Sequence, residues 1–207
     1  MMSIELVAFD LDGTLVRSET CVQAIARAVG RADECAVFEQ LSMRDVEGVA
    51  AARELMAEWY APYSVVELTR PLDDLELAPG CAEAFELLRE HDVWTAIVSI
   101  TWTLAVEHFA DLLGADYFYG TGLSERGVEH VWPQDKGNWL RALSLELRLA
   151  QSAVAAVGDS DGDRELLGAA GLRFCVGEQA LNVAGLVHLP GASMLDIARL
   201  ILGERND

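Results

Sequence analysis

A chain of 207 residues, about half of them apolar and carrying a formal charge of −19, is long enough for one domain with a sizeable core, or for a core bearing a small inserted module. The apolar fraction excludes disordered and fibrous classes. The charge excludes a broad interface with nucleic acid or an anionic membrane, both of which would repel it over a Debye length of about 8 Å.

In chain order, Leu6-Val7-Ala8-Phe9 is a short apolar run stopped by two aspartates and a glycine, the pattern of a buried strand that delivers polar groups at its end. From about Val16 to Ala78 no strand pattern occurs. Amphipathic segments such as 22–29 and 46–60 predict a helical insertion there, and Pro71 to Pro79 marks its return. After it, helix 81–91 precedes a strand at 94–98 that runs into Ser99. Helices at 104–113 and 137–149 follow, then a strand at 153–157 running into Gly158-Asp159. A helix at 164–170 and a strand at 172–176 running into Gly177 complete the series. This alternation predicts an α/β fold, a mostly parallel sheet with helices on both faces, whose ligands gather beyond the carboxyl ends of the strands. Residues 1–15 and 79–207 form the expected core, and 16–78 the insertion.

Cys21, Cys35, Cys81 and Cys175 are far apart, lack C-x-x-C spacing and have apolar neighbours, which predicts buried free thiols and a reducing compartment. The start, Met1-Met2-Ser3-Ile4-Glu5, has no basic stretch, and no apolar run approaches the roughly 18 residues of a membrane span. A cytoplasmic protein is expected. The sequence leaves its oligomeric state open.

Asp10 and Asp12 are two apart, so a regular strand would point both to one side. Asp159, Asp161 and Asp163 crowd the end of another strand. Two carboxylates about 4 Å apart repel by roughly 4 kcal/mol at an effective dielectric near 20, so several in one pocket call for a cation. Hard oxygen ligands suggest Mg²⁺. Taken singly, either cluster is more often turn chemistry than a site. A calcium loop starting at Asp159 fails, because Arg164 stands where glycine is needed and Ala170 where glutamate is needed. Ser99 and Lys136 are candidate phosphate ligands. Lys136 is the one lysine beside fourteen arginines, a hint that a compact ammonium is wanted at that point.

Asp10-Leu11-Asp12-Gly13-Thr14, Ser99, Lys136 and Gly158-Asp159-Ser160-Asp161-Gly162-Asp163 fall in the order of the four motifs of the haloacid dehalogenase superfamily, and the chain resembles that superfamily over nearly its whole length. The insertion after the first motif resembles its helical C1 cap. The run from Asp10 to Thr20, with Glu19 nine residues after Asp10, is most similar to the phosphoserine phosphatase branch. The resemblance implies a phosphatase for a small phosphorylated metabolite. In it Asp10 is the nucleophile that becomes a phosphoaspartate, and Asp12 the general acid and base. Ser99 and Lys136 hold the phosphoryl group. Asp10, Asp12 through its carbonyl, and Asp159 hold Mg²⁺, with Asp163 supporting them. Glu19 would meet the substrate ammonium and Arg53, or failing it Arg44, the carboxylate. The chain departs from that branch at Ile100-Thr101, where two glycines are usual, and at Gly162, where asparagine is common. Phosphoserine is therefore one candidate beside sugar phosphates and phosphoglycolate, and a phosphotransferase or mutase of the same superfamily is an alternative. So is a non-enzymatic relative that binds a phosphorylated ligand, although both aspartates are in place.

Gly158-Asp159-Ser160-Asp161-Gly162 also satisfies the G-x-S-x-G pattern of a serine-hydrolase elbow. A triad would then have to use His188 with an acid between Asp161 and Glu178, and it would leave Asp10, Asp12 and Lys136 without a role.

Overall fold

A computed structural model describes residues 3–41, 43–124 and 126–204; Met1, Met2 and the end of the expected core segment, 205–207, lie outside them. The strand β1 (Leu6–Phe9) is wholly buried. Its side chains alternate: Val7 and Phe9 enter one apolar cluster and Leu6 and Ala8 another, as the two-residue period of a strand covered on both faces requires.

β1 pairs in parallel with β2 (Trp94–Trp102) on one side and β5 (Val154–Gly158) on the other. Beyond β2 lie β3 (Tyr117–Ser124), parallel, and β4 (Gly127–Glu129), antiparallel. Beyond β5 lie β6 (Leu172–Cys175) and β7 (Leu186–His188), both parallel. The order is β4-β3-β2-β1-β5-β6-β7. The chain leaves β1 toward β2 and later returns beside β1 at β5, so the sheet reverses its direction of growth at the carboxyl end of β1. Ligands of such sheets bind at that crevice.

Among the described residues, the segment 16–78 after β1 holds α1 (Cys21–Ala28), α2 (Ala32–Phe38), α3 (Val46–Tyr60) and α4 (Val65–Thr69). The later helices are α5 (Cys81–Glu90), α6 (Thr103–Leu113), α7 (Pro133–Glu146), α8 (Arg164–Ala169) and α9 (Met194–Leu202). Buried residues of α1, α5, α6 and α9 share the cluster of Phe9, whereas α7 and α8 cover the face of Ala8. The helical excursion is joined to that first cluster: Ile25, Tyr60 and Leu72 belong to it, and Tyr60 meets Trp102 edge to face at 5.6 Å. Its two ends run side by side, with Val16 bridged to Leu77 and the Ala78 N–H donating to the Leu15 carbonyl at 2.7 Å.

The strands expected at 6–9, 94–98, 153–157 and 172–176 are present within a residue or so, except that β2 continues through Ser99 and Thr101 to Trp102. β3, β4 and β7 carry no pattern that announced them, whereas α9 carries one the sequence reading passed over: Ser193 caps it and Met194, Ile197, Ala198 and Ile201 form its buried face. β3 holds Gly120 and Gly122 and lies partly exposed, so it has neither a continuous apolar run nor a clean alternation. α7 starts four residues before Gly137. Pro133 supplies its first turn and the Asp135 carboxylate caps the Trp132 N–H at 2.9 Å, a start for which proline is pre-organised. The four cysteines are free and buried.

α7 and α8 touch at Gly137, where a Cβ would stand 2.4 Å from the Glu165 carbonyl oxygen. Gly137→Ala should force the helices apart and cost about 1–3 kcal/mol, as overpacking does, measured by urea unfolding. A loss below about 0.5 kcal/mol would show that the contact does not hold α7 in place.

Candidate active site

The geometry of the site begins where β1 stops. The Asp10 N–H still donates to the Val157 carbonyl at 2.9 Å, but the chain then turns, and the Leu11 carbonyl accepts from the N–H groups of Thr14, Leu15 and Val16. Asp10 and Asp12 are therefore not two residues of one regular strand, as their spacing had suggested. The turn sends Asp12 to the start of α1, where its Oδ1 accepts from the Cys21 N–H at 2.7 Å. Gly13 makes the turn possible: its φ is +91°, and a Cβ would stand 2.4 Å from Asp159 Oδ2.

Lys136 enters from the first turn of α7 and is 2 % exposed. Its ammonium donates to Asp10 Oδ1 at 2.6 Å and also to Asp163 Oδ1. Asp163, 1 % exposed, is fixed through its other oxygen, which accepts from the N–H groups of Asp159 and Ser160 at 3.0 and 3.2 Å. Burial alone would lower the Lys136 pKa, but the two carboxylates outweigh it and hold the group charged. Asp10 is pushed well above the usual carboxylate range, by burial first and then by Asp163, with Lys136 opposing. Burial also raises Asp12, against the Cys21 N–H. Asp159 is pushed up to about 6 by burial and by Asp163.

Asp10, Asp159 and Asp163 each place a carboxylate oxygen within 4.8 Å of the others, a group able to hold a metal ion. One lysine offsets only one of these three charges. Burial is the first cause of the raised Asp10 and Asp159 carboxyls and the Asp163 charge the next; a hard divalent cation would offset the remaining charge.

Beside this cluster opens a cavity of about 300 Å³. Asp10, Asp12, Ser99, Lys136 and Asp163 line its floor, and Arg53 its wall. Arg53 is 8 % exposed; it donates to the carbonyls of Val131 and Ile100, both at 3.0 Å, and lies over the Trp132 ring. Burial lowers its pKa to about 10, so it stays charged, and no carboxylate among the described residues pairs with it. Glu19 is not brought to the cavity. Its carboxylate turns along α1 to an exposed ion pair with Arg27. Arg44 is exposed and does not line the cavity either. The serine-hydrolase arrangement does not form: His188 Nε2 bonds the Gly177 carbonyl at 2.8 Å.

Three contributors escaped sequence reading. The Cys21 N–H could have been found, since Thr20-x-x-Gln23 is a capping box that fixes the start of α1 beside Asp12. Thr101, whose buried hydroxyl has no protein partner, lines the cavity because β2 runs on past Ser99. Glu39, at the end of α2, also lines it and accepts from Thr20 and Gln23; nothing in the sequence singles it out.

Residues 7–168 match the family of haloacid dehalogenase-like hydrolases. The chain belongs to that family. Among known proteins it is 28% identical to the phosphoserine phosphatase of Polaromonas sp. JS666, over 91% of this chain and 89% of that one. It is 27% identical to the phosphoserine phosphatase of Archaeoglobus fulgidus, over 81% of this chain and 51% of that one. Among solved structures, a phospho-aspartyl intermediate analogue of phosphoserine phosphatase superposes with a TM-score of 0.73 at 20% identity, covering 98% and 100% of the two chains. A family hydrolase from Salmonella enterica serovar Typhi gives 0.78 at 17% identity, covering 99% and 73%. The structural likenesses establish the fold, a haloacid dehalogenase-type parallel sheet. In sequence this hydrolase is phosphoserine phosphatase-like.

Removing one charge from the cluster should relax its repulsion. Asp159→Asn is expected to raise the metal-free Tm at pH 7.5 by a few degrees and to abolish the Tm rise that Mg²⁺ gives the unaltered protein. Calorimetry checks both, and an undiminished Mg²⁺ response in the variant would remove Asp159 from the metal group.

Proposed function

We propose that this hydrolase is a Mg²⁺-dependent phosphatase that cleaves a small phosphate monoester through a phosphoaspartate on Asp10. The observation that carries the reading is the buried Lys136 held between Asp10 and Asp163, with Asp159 completing a three-carboxylate group. A carboxylate nucleophile beside a fixed cation suits attack on a dianionic phosphoryl group.

In this reading an Asp10 carboxylate oxygen bonds to phosphorus as the bond to the leaving oxygen breaks, and Asp12 gives that oxygen its proton. Burial raises Asp12 above the usual carboxylate value, the direction that suits a proton donor. Asp12 then takes a proton from water as the water oxygen bonds to phosphorus, and inorganic phosphate leaves with Asp10 restored. Ser99 and Lys136 hold phosphoryl oxygens, and Thr101 offers a further donor. Asp10, Asp159, Asp163 and the Asp12 carbonyl would hold Mg²⁺, which supplies charge neutralisation at the phosphoryl group when bound. Arg53 receives a carboxylate of the leaving group through the N–H groups it does not spend on Val131 and Ile100. Residues 16–78 act as the cap over a core of 1–15 and 79–207. Glu19, turned to Arg27, has no contact with substrate in this arrangement. The four buried free thiols suit a cytoplasmic setting.

Phosphate release should depend on Mg²⁺ and vanish with EDTA across a panel of phosphoserine, phosphoglycolate, a sugar phosphate and an aryl phosphate. Asp10→Asn should reduce turnover to background, and Asp12→Asn should lower kcat by about 10²–10⁴-fold. Substantial Mg²⁺-dependent turnover by Asp10→Asn would rule out the nucleophile.

A further inference from the structure

The part of the cavity away from the phosphoryl floor is apolar. Val22 of α1, Phe38 of α2, Val49 and Met56 of α3, and Ile100 and Trp102 of β2 supply most of its wall. Arg53 is the cation on that side. The carboxylates that line the cavity, among the described residues, are Asp10, Asp12, Asp163 and Glu39. The first three belong to the floor. Glu39 is exposed, and its two oxygens already accept from Thr20 and Gln23. Glu19 faces Arg27 outside the cavity. An ammonium on the leaving group would thus leave water for an apolar wall with no free buried acid to meet it, an unfavourable transfer. Ile100, directly after Ser99, also fills space beside the phosphoryl floor with a branched hydrocarbon.

On the basis of the phosphatase reading, we infer that the substrate is a phosphorylated hydroxy acid bearing an apolar group, and no ammonium, beside its carboxylate. The phosphoryl group sits on the floor, the carboxylate faces Arg53, and the apolar group rests against Val22, Val49, Met56 and Ile100. A cavity of about 300 Å³ has room for a branched or aromatic substituent.

Two esters that differ in one group decide the matter: phosphoserine and 3-phosphooxy-2-methylpropanoate, in which methyl replaces ammonium. With Mg²⁺, kcat/KM is expected to be at least tenfold higher for the methyl compound. It should rise further, by up to about fourfold for each added buried methylene, when the methyl is lengthened to ethyl and propyl. Ile100→Ala, which keeps the backbone carbonyl used by Arg53 and Thr121, should flatten that rise. Higher kcat/KM for phosphoserine overturns the inference, the more so if Glu39→Gln removes the preference, because the ammonium then has its seat at Glu39. Turnover of an aryl phosphate with none of the hydroxy-acid esters also overturns it, while the phosphatase reading stands. No turnover of any ester with Mg²⁺ overturns both.

Discussion

The site depends on one buried ammonium. Lys136 is nearly inaccessible to water and touches carboxylates from two different strand ends, Asp10 after β1 and Asp163 after β5. A buried charge of either sign is costly unless paired, and removing one partner of such a group costs more than the group contributes as a whole. The three side chains therefore constrain one another, and their backbones must approach closely enough to permit it. Glycines provide that approach. A Cβ at Gly158 would meet the Asp163 side chain at 2.6 Å, and one at Gly177 would stand 2.0 Å from the Asp159 carbonyl oxygen. Gly158, at the end of β5, and Gly177, after β6, thus serve the convergence of the carboxylates by leaving room for them.

Negative charge exceeds positive around Lys136, where three carboxylates face one ammonium. Asp159 and Asp10 are both raised, and burial is the first cause in each. A protein that only needed stability would gain by replacing one of them with an apolar or amide side chain. Keeping them is consistent with a site organised around a ligand that neutralises them.

The sheet core was legible because β1 and β5 are continuous apolar runs ended by aspartate or glycine, and β6 is a short run interrupted only by Arg173 and closed by Gly177, a pattern with few other physical explanations. The family resemblance rested on residues after β1 and β5, within β2 and in the first turn of α7, and Asp10, Ser99, Lys136 and Asp163 from these elements line one cavity. Strands β3, β4 and β7 were not legible, since they lie at or near the sheet margins, where partial exposure erases periodicity. Side-chain direction was not legible either. Glu19 is the residue the resemblance offers as a substrate ligand, yet its carboxylate pairs with Arg27, eight residues on. Conversely, Glu39 reaches the cavity through the packing of α1 against α2, a relation between two helices that no local spacing encodes.

The hydrogen-bonded pair of segments around Val16 and Leu77 closes the helical excursion at its base. Because the excursion leaves and rejoins the sheet at one point, its contour is decoupled from the register of the strands. The entropy of such a closed loop grows only with the logarithm of its length, about 0.6 kcal/mol for each doubling. Length changes in the parts of the excursion that do not pack on the sheet would therefore cost it little, whereas replacing Ile25, Tyr60 or Leu72 would open the cluster they share with Phe9. The excursion can thus vary in length while the turn that carries Asp10 and Asp12 keeps its place at the end of β1.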